Sequence, residues 1–383
     1  MALTILFGEA KTMQVFVREM LPDEKEAVEK LFARSLGIVD RIVFGLSFES
    51  AQNSAKKQNG GTLVGEYDGR IVGAVSMKIQ RMKGELAGFV DALVADKEHR
   101  GKGIGTSLVE HAVTWLEERG CKTIYATADR YNSPSWNTFI HKGFSVYEIP
   151  QQLRDLGFSF LWLWLVEFHF LGFGTFFLRK KQGLHKSYET GEAWHLAAAV
   201  LGVSIAWWIQ PLIKGVPLLL FPLLFAVIAI SILGHELSQR LVCRKFALQA
   251  TFKAWGSGIL LNLLFGIGGG FFPVFGSTYV KQIDWKYKPK DKTGIMFAVG
   301  PAVSLVFALV FWFLYVFSDH ELLSSSARVG YILNLMIVIF NLLPIQGAGG
   351  FVWDGKKILN WNRNAWLLLF AATLVVIAVD IIV

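Results

Sequence analysis

The chain has 383 residues, 53% of them hydrophobic and 18% charged, with a formal charge of +8. That apolar fraction excludes a disordered chain, and the low charge content excludes a protein that is water-soluble throughout. The first 152 residues balance 19 Lys and Arg against 19 Asp and Glu, whereas the rest carries 19 against 11; the basic excess lies between apolar runs, a membrane pattern and not a nucleic-acid footprint.

The opening MALTILFGEAKTMQVF lacks a basic stretch before its short apolar run, so no secretory signal peptide is expected. MQVFVREM reads as a strand. LPDEKEAVEKLFARSL then places Ala27, Val28, Leu31, Phe32 and Leu36 at helical spacing. TLVGEYDGRIVGAVSMKI is two alternating runs joined by Asp68-Gly69, a hairpin signal. GFVDALVAD is a further strand, TSLVEHAVTWLEERG a helix ending at Gly120, and KTIYATA another strand before YNSPSWNTFIHKGF. Cys121 and Cys243 are too few for a disulfide framework. The expected organisation is a soluble domain over 1–152 and a membrane domain over 153–383.

Between the strand ending at Asp96 and the next helix lies EHRGKGIGTSLVEHA. A glycine-rich turn from strand to helix lets backbone N–H groups converge on an anion, and the helix N-terminus adds a favourable dipole. Neither G-x-G-x-x-G nor G-x-x-x-x-G-K-[ST] is present. The segment resembles the acyl-CoA loop of GNAT-family N-acetyltransferases, R/Q-x-x-G-x-G/A, through Arg100-Gly101-Lys102-Gly103-Ile104-Gly105. An N-x-x-S…F-x-x-x-G-F segment follows, and the likeness covers nearly all of 13–148. It implies an α+β fold, a mixed sheet with flanking helices, and acetyl-CoA lying against Leu93 and Val94. The cofactor's pyrophosphate would rest on the amides of Arg100 to Thr106, and Asn132 would meet its pantetheine arm. Where the family often has a Tyr as general acid, this chain has Phe139. Asp91 is the candidate base, acting through water, with a solvated or paired strand charge as the simpler reading. His141 reads as a surface residue at a helix end. Direct attack by a positioned amine needs no such group.

Beyond residue 156, GFSFLWLWLVEFHFLGFGTFFL opens a series of apolar runs at 193–213, 216–242, 255–276, 293–317, 328–345 and 364–383. Several reach the roughly 20 residues that span a bilayer. Basic clusters at 179–186, 240–253, 281–292 and 356–363 place those connections in the cytosol, together with the soluble domain. Both constraints hold if 158–178 and 255–276 return to the side they entered from. Glu167, His169 and Gly172 in the first, and Gly266, Gly268, Gly269 and Gly270 in the second, suit a re-entrant or interfacial path. Five spans then remain, within an all-α polytopic domain of five to seven membrane segments. Trp162, Trp164, Trp207, Trp208, Trp255 and Trp361 read as an interfacial belt, and the Lys-rich loop as a contact with anionic lipid.

Two polar islands interrupt these runs. ILGHELSQRL puts His235, Glu236 and Gln239 in the last turns of a span, where ionisable residues are functional candidates. FNLLPIQGAGGFVWDGKKIL brings Asn341, Pro344, Asp354 and Gly355 just past another. Together they resemble site-2-protease-type intramembrane metalloproteases, which carry H-E-x-x-H and N-x-x-P…D-G. The resemblance implies zinc on His235 and Asp354, with Glu236 as general base, and extends over TGIMFAVGPAVSL. Gln239 stands where the second His ligand belongs, Ser304 where the family often has Asn, and QGAGGFVW lengthens the gap to Asp354. An amide is a much weaker zinc ligand than imidazole, so the expected metal set of His235, Gln239 and Asp354 holds Zn2+ weakly or not at all. His195 reads as an interfacial anchor and His185 as a basic-loop residue.

The reading is a multi-pass integral membrane protein with a cytosolic acetyltransferase domain that moves acetyl from CoA to an amine. Its membrane half is a degenerate site-2-protease-like scaffold. One rival is an active intramembrane zinc protease governed by an acetyl-CoA-sensing domain. A second is a non-catalytic pair of modules, one holding CoA and the other a membrane-protein client. No nucleic-acid partner is expected.

Overall fold

The computed structural model describes residues 15–99, 101–130, 132–167, 169, 174–183, 190–280, 291–345 and 352–382. They fall into two compact units. The first has the bounds Met1–Ala126, Thr138–Ser145 and Leu178–His185, and the second Thr127–Asn137, Val146–Phe177 and Lys186–Val383.

A seven-stranded sheet runs in the order β1-β2-β3-β4-β5-β7-β6. Its strands are β1 Phe16–Glu19, β2 Gly60–Tyr67, β3 Arg70–Met82, β4 Glu85–Ala95, β5 Thr123–Asp129, β6 Ser145–Val146 and β7 Thr175–Lys181. The first four pair antiparallel, and β4 pairs parallel with β5. Asp68 and Gly69 both take positive φ, as the turn between β2 and β3 requires.

The first helix is preceded by a 3-10 turn at Pro22–Glu24, and α1 itself covers Lys25–Ser35. Arg18 on β1 fixes that entry, its guanidinium lying 2.6 Å from Glu24 and 2.8 Å from Glu66. Val28, Leu31 and Phe32 of α1 pack with Phe48, Val64, Ala74 and Val94 in the core of this unit. Phe48 belongs to α2, Ile38–Ala55, a helix without a clean apolar stripe because Ile42 and Leu46 are exposed. The helix after the glycine loop is α3, Ile104–Glu118, and α4 covers Ser133–His141. His141 is exposed at the end of α4, while Phe139 is buried edge-on against Phe144, their centroids 5.2 Å apart.

The sheet does not end at residue 152. TFFLRKK is strand β7, so the end of the 158–178 run belongs to the sheet and not to a span. Helix α5 covers Ile149–Leu156, and α6, Phe160–Val166, is far too short to cross a bilayer. Trp164 is buried, donating to Gln152 at 2.7 Å, and its ring lies 5.1 Å from that of His169. His169 is in turn 5.1 Å from the Phe177 ring. Burial, with a smaller push from Arg130, lowers the His169 imidazole to about 3, so it stays neutral. Trp164, His169 and Phe177 pack on one another, while Phe158, Trp162 and Leu165 of the same segment stay exposed.

The remainder is helical apart from one antiparallel ribbon. Among the described residues, five helices are long and apolar enough to cross a membrane: α7 Glu192–Ile213, α8 Phe221–Lys245 with its preceding 3-10 turn, α10 Asp291–Phe317, α11 Glu321–Leu342 and α13 Arg363–Ile382. The ribbon joins β8 Ala250–Ala254 to β9 Gly276–Val280. Between those strands lies α9, Gly256–Ile267, only 12 residues long. Because β8 and β9 pair, the segment between them ends beside its own start. Trp208 and Trp255 are buried, contrary to the belt reading; Trp208 meets Phe221 edge-on at 5.6 Å. A short helix, α12 Asp354–Trp361, carries Ile358 into one core with Cys243 of α8 and Leu342 of α11. The C-terminal ends of α8 and α11 therefore share one end of the bundle.

Candidate acyl-CoA loop and intramembrane polar site

Of the loop residues, Arg100 lies outside the described residues. Gly101 and Gly103 have φ of +77° and +78°, a backbone state that side chains with a Cβ rarely adopt. No atom lies within 4 Å of a Cβ built at either one, so conformation and not crowding demands glycine there. Gly103 caps α3, whose first hydrogen bond runs from Ser107 N to Gly103 O at 2.9 Å. The N–H groups of Ile104, Gly105 and Thr106 precede that bond and have no partner within the helix. Ile104 buries its side chain, while Gly101, Lys102, Gly103 and Thr106 are exposed.

The adjoining edge of β4 is also open. Its ladder with β5 covers only Ala87–Val90 against Thr123–Ala126, leaving Ala92 to Ala95 paired on the β3 side alone. Asp96 N donates to Val72 O at 2.8 Å, so strand alternation turns the Val94 N–H to β3 and the Leu93 N–H to the free edge. Val94 is a core side chain. Asp91 is the extra residue of a bulge between the Met77–Val90 and Ser76–Ala92 pairs. Its carboxylate is buried 3.0 Å from the Lys78 ammonium, the pairing of a strand charge. Asn132 lies in the second unit, where its backbone carbonyl accepts the first N–H groups of α4 from Ser135 and Trp136.

In the second unit the structure brings His235, Gln239 and Asp354 together. His235 and Gln239 are one turn apart on α8, their Nε2 atoms 3.4 Å apart. Gln239 Nε2 lies 3.1 Å from Asp354 Oδ2 at the start of α12. A carboxylate only accepts, so the Gln239 amide N–H must donate to it. The other oxygen, Oδ1, accepts from Lys357 Nζ at 2.9 Å. His235 Nδ1 and Ser304 Oγ of α10 are 2.9 Å apart. With Nδ1–H donating to Ser304, the Nε2 lone pair faces the Gln239 amide. A Cβ on Gly300 would come within 2.5 Å of Gln239 Nε2 and 2.7 Å of His235 Nε2, so this glycine is what lets α10 approach α8. Glu236 is buried but turned to the ribbon, accepting from Thr278 Oγ1 at 2.7 Å. Asn341 caps its own helix at Ile337 O, and Pro344 is exposed.

Elsewhere in this unit His195 pairs with Glu148 and takes no part in the His235 cluster. Glu148 Oε1 lies 3.3 Å from His195 Nε2 and 3.0 Å from Lys253 Nζ, and its other oxygen accepts the Thr190 N–H at 2.7 Å. Burial alone would raise this carboxyl, but His195, Thr190 and Lys253 outweigh it and bring it down to about 2. Sequence reading missed this cluster because its members are spread over 105 residues. Much of the notable basic sequence, including His185, Lys186 and 281–290, lies outside the described residues, as does the 346–351 stretch before Asp354.

The comparisons with known proteins address both halves. The family model described as "Acetyltransferase (GNAT) family" matches residues 26–144. A protein of Methanocaldococcus jannaschii described as "Putative zinc metalloprotease MJ0611" is 30% identical over 159 residues, which is 39% of this chain and 78% of that one. The chain belongs to this metalloprotease family. It carries in addition a GNAT-family acetyltransferase domain, fused to a site-2-protease-like part. Among solved structures, an acetyltransferase of the GNAT family from Staphylococcus aureus Mu50 is 15% identical, covering 44% of this chain and 99% of its own at a TM-score of 0.33. A GNAT family acetyltransferase from Brucella melitensis, in complex with acetyl-CoA, is 14% identical, covering 46% and 97% at a TM-score of 0.32.

Membership in a zinc-metalloprotease family calls for a test of the donor set. His235 offers one imidazole nitrogen and Asp354 one carboxylate, but each Asp354 oxygen already accepts, one from the Gln239 amide and one from the Lys357 ammonium. Gln239 presents N–H and not oxygen to the cleft. No group of three or more His, Cys, Asp and Glu suited to a metal converges among the described residues. These residues do not fit a zinc ion, which takes three protein ligands in catalytic sites.

Proposed function

We propose that this protein is a membrane-tethered, acetyl-CoA-dependent N-acetyltransferase whose metalloprotease half is a catalytically silent scaffold. The observation that carries the acetyltransferase reading is the set of unpartnered N–H groups at Ile104, Gly105 and Thr106, behind two positive-φ glycines and beside the open edge of β4. Such donors match a pyrophosphate in charge and geometry. In this reading Gly101 to Thr106 hold the pyrophosphate, with Arg100 and Lys102 adding charge, and Asn132 meets the pantetheine arm. The Leu93 N–H polarises the thioester carbonyl, with Val94 as packing behind it.

The amine nitrogen bonds to the thioester carbon, the carbon–sulfur bond breaks, and the amine proton leaves with the CoA sulfur as thiol. Phe139 supplies no proton and Asp91 is committed to Lys78, so rate enhancement comes chiefly from positioning. In this reading the domain lies in the cytosol, which the basic residues between the apolar runs support, and the five apolar helices anchor it in the bilayer. In the membrane half Glu236 is held by Thr278 and carries no catalysis, because the donor set beside it does not suit a metal. The test is release of CoA from acetyl-CoA by the purified full-length chain across a panel of amines. Turnover that Glu236→Gln leaves intact supports the reading. Cleavage of a membrane substrate that Glu236→Gln abolishes contradicts it.

A further inference from the structure

The Lys357 ammonium has no part in the acetyltransferase reading, yet it is 3% exposed in the middle of a bundle core. Burying such a group is costly unless it is paired and hydrogen-bonded. Its surroundings are built for it. Asp354 Oδ1 lies 2.9 Å away, and the face of Phe297 on α10 is 4.4 Å from Nζ, a cation–π distance. The carboxylate it meets is the one the metalloprotease family uses as a metal ligand, and the Gln239 amide holds the other oxygen.

We propose that Lys357 is an internal cation that takes over the charge of the absent metal ion, so the cleft is a closed, neutral network that excludes zinc. This rests on the reading of the membrane half as silent. Electrically, an unmetallated His/Asp cleft would leave one buried carboxylate uncompensated, a strongly destabilising state. Lys357 cancels that charge from one turn further along α12, and Gln239 supplies the remaining donor without adding charge. His235, tied to Ser304, completes the chain of contacts. Zinc entering this cleft would have to displace both donors from Asp354 and sit close to a like charge. Restoring the missing imidazole is therefore not sufficient to restore a metal site. The cation must also leave.

The experiment compares the full-length chain with Gln239→His, Lys357→Met and the double variant Gln239→His/Lys357→Met. Each is purified in detergent, incubated with zinc chloride, desalted, and assayed for zinc per chain. The expected result is less than about one-tenth of a zinc in the parent and both single variants, and close to one in the double variant, since catalytic sites need the third ligand. Equal uptake by Gln239→His alone, or no uptake by a folded double variant, overturns the role of Lys357. One tightly held zinc in the parent overturns the silent reading itself.

Thermal unfolding supplies a second readout that needs no gain of metal. Lys357→Met should lower the midpoint by roughly 5 °C or more, and adding Asp354→Asn should recover most of that loss, because the uncompensated carboxylate is gone. Failure of Asp354→Asn to recover stability overturns the proposal even where the double variant does not fold.

Discussion

The glycine loop before α3 and the polar cleft between α8, α10 and α12 are built from the same materials, hydrogen-bond donors and acceptors, yet they differ in what remains unspent. At the loop, the Ile104, Gly105 and Thr106 N–H groups precede the first helical hydrogen bond, and the surrounding residues are exposed. In the cleft, His235, Gln239, Asp354 and Lys357 are all buried and satisfy one another. A site is able to take a ligand when its groups have no better partner. By that criterion the two halves of this chain have opposite standing, although both carry a recognisable motif.

Four perturbations sharpen or break that contrast, beginning with the largest. Glu148→Gln strands the buried Lys253 ammonium and should cost about 3 kcal/mol of stability at neutral pH, read by thermal or denaturant unfolding. The Glu148 carboxyl sits near 2 when folded, below its ordinary value of 4.5. Its stabilisation is therefore complete above pH 4.5 and disappears as pH falls towards 2. The variant should flatten that acid limb, and an unchanged limb would count against the cluster. Gly103→Val forces a Cβ into the left-handed region, at a cost of about 1–2 kcal/mol. Acetyl-CoA should then bind roughly ten- to thirty-fold more weakly by calorimetry, while unfolding loses no more than about 1–2 kcal/mol.

Ser304→Ala removes the partner of His235 and should lower stability by about 1 kcal/mol while leaving acetyl-CoA affinity alone. A large loss of affinity would show that the two sites are coupled. Gly105→Ala is the smallest change. Gly105 has no positive φ, and no atom lies within 4 Å of its would-be Cβ, so binding should move by less than about threefold. A loss as large as that of Gly103→Val would mean that backbone approach, and not loop conformation, sets the glycine requirement.

Local chemistry made parts of this molecule legible in advance. Asp68-Gly69 has few alternatives to a tight hairpin, and the loop from Gly101 to Gly105 can be read from its dipeptide steps. The approach of Asp354 to the His235–Gln239 turn followed from two motifs. Strand β7 was illegible because TFFLRKK follows a run of aromatics whose burial in a small core looks, residue by residue, like burial in lipid. Trp164 and His169 misled for the same reason: composition does not say which apolar medium a side chain enters. Asp91 looked like a base because its partner, Lys78, faces it across a hairpin and not along the chain. Lys357 was hidden in plain sight, grouped with Lys356 and Arg363 as loop charge, since neighbouring positions on α12 differ in burial: Lys357 is in the core and Lys356 half-buried.

The most direct test of the account is calorimetric titration of acetyl-CoA into the full-length chain in detergent, run in parallel with Gly103→Val. The account predicts one acetyl-CoA bound per chain, with the heat strongly reduced in the variant. No heat from the parent, or equal heats from both, would contradict it.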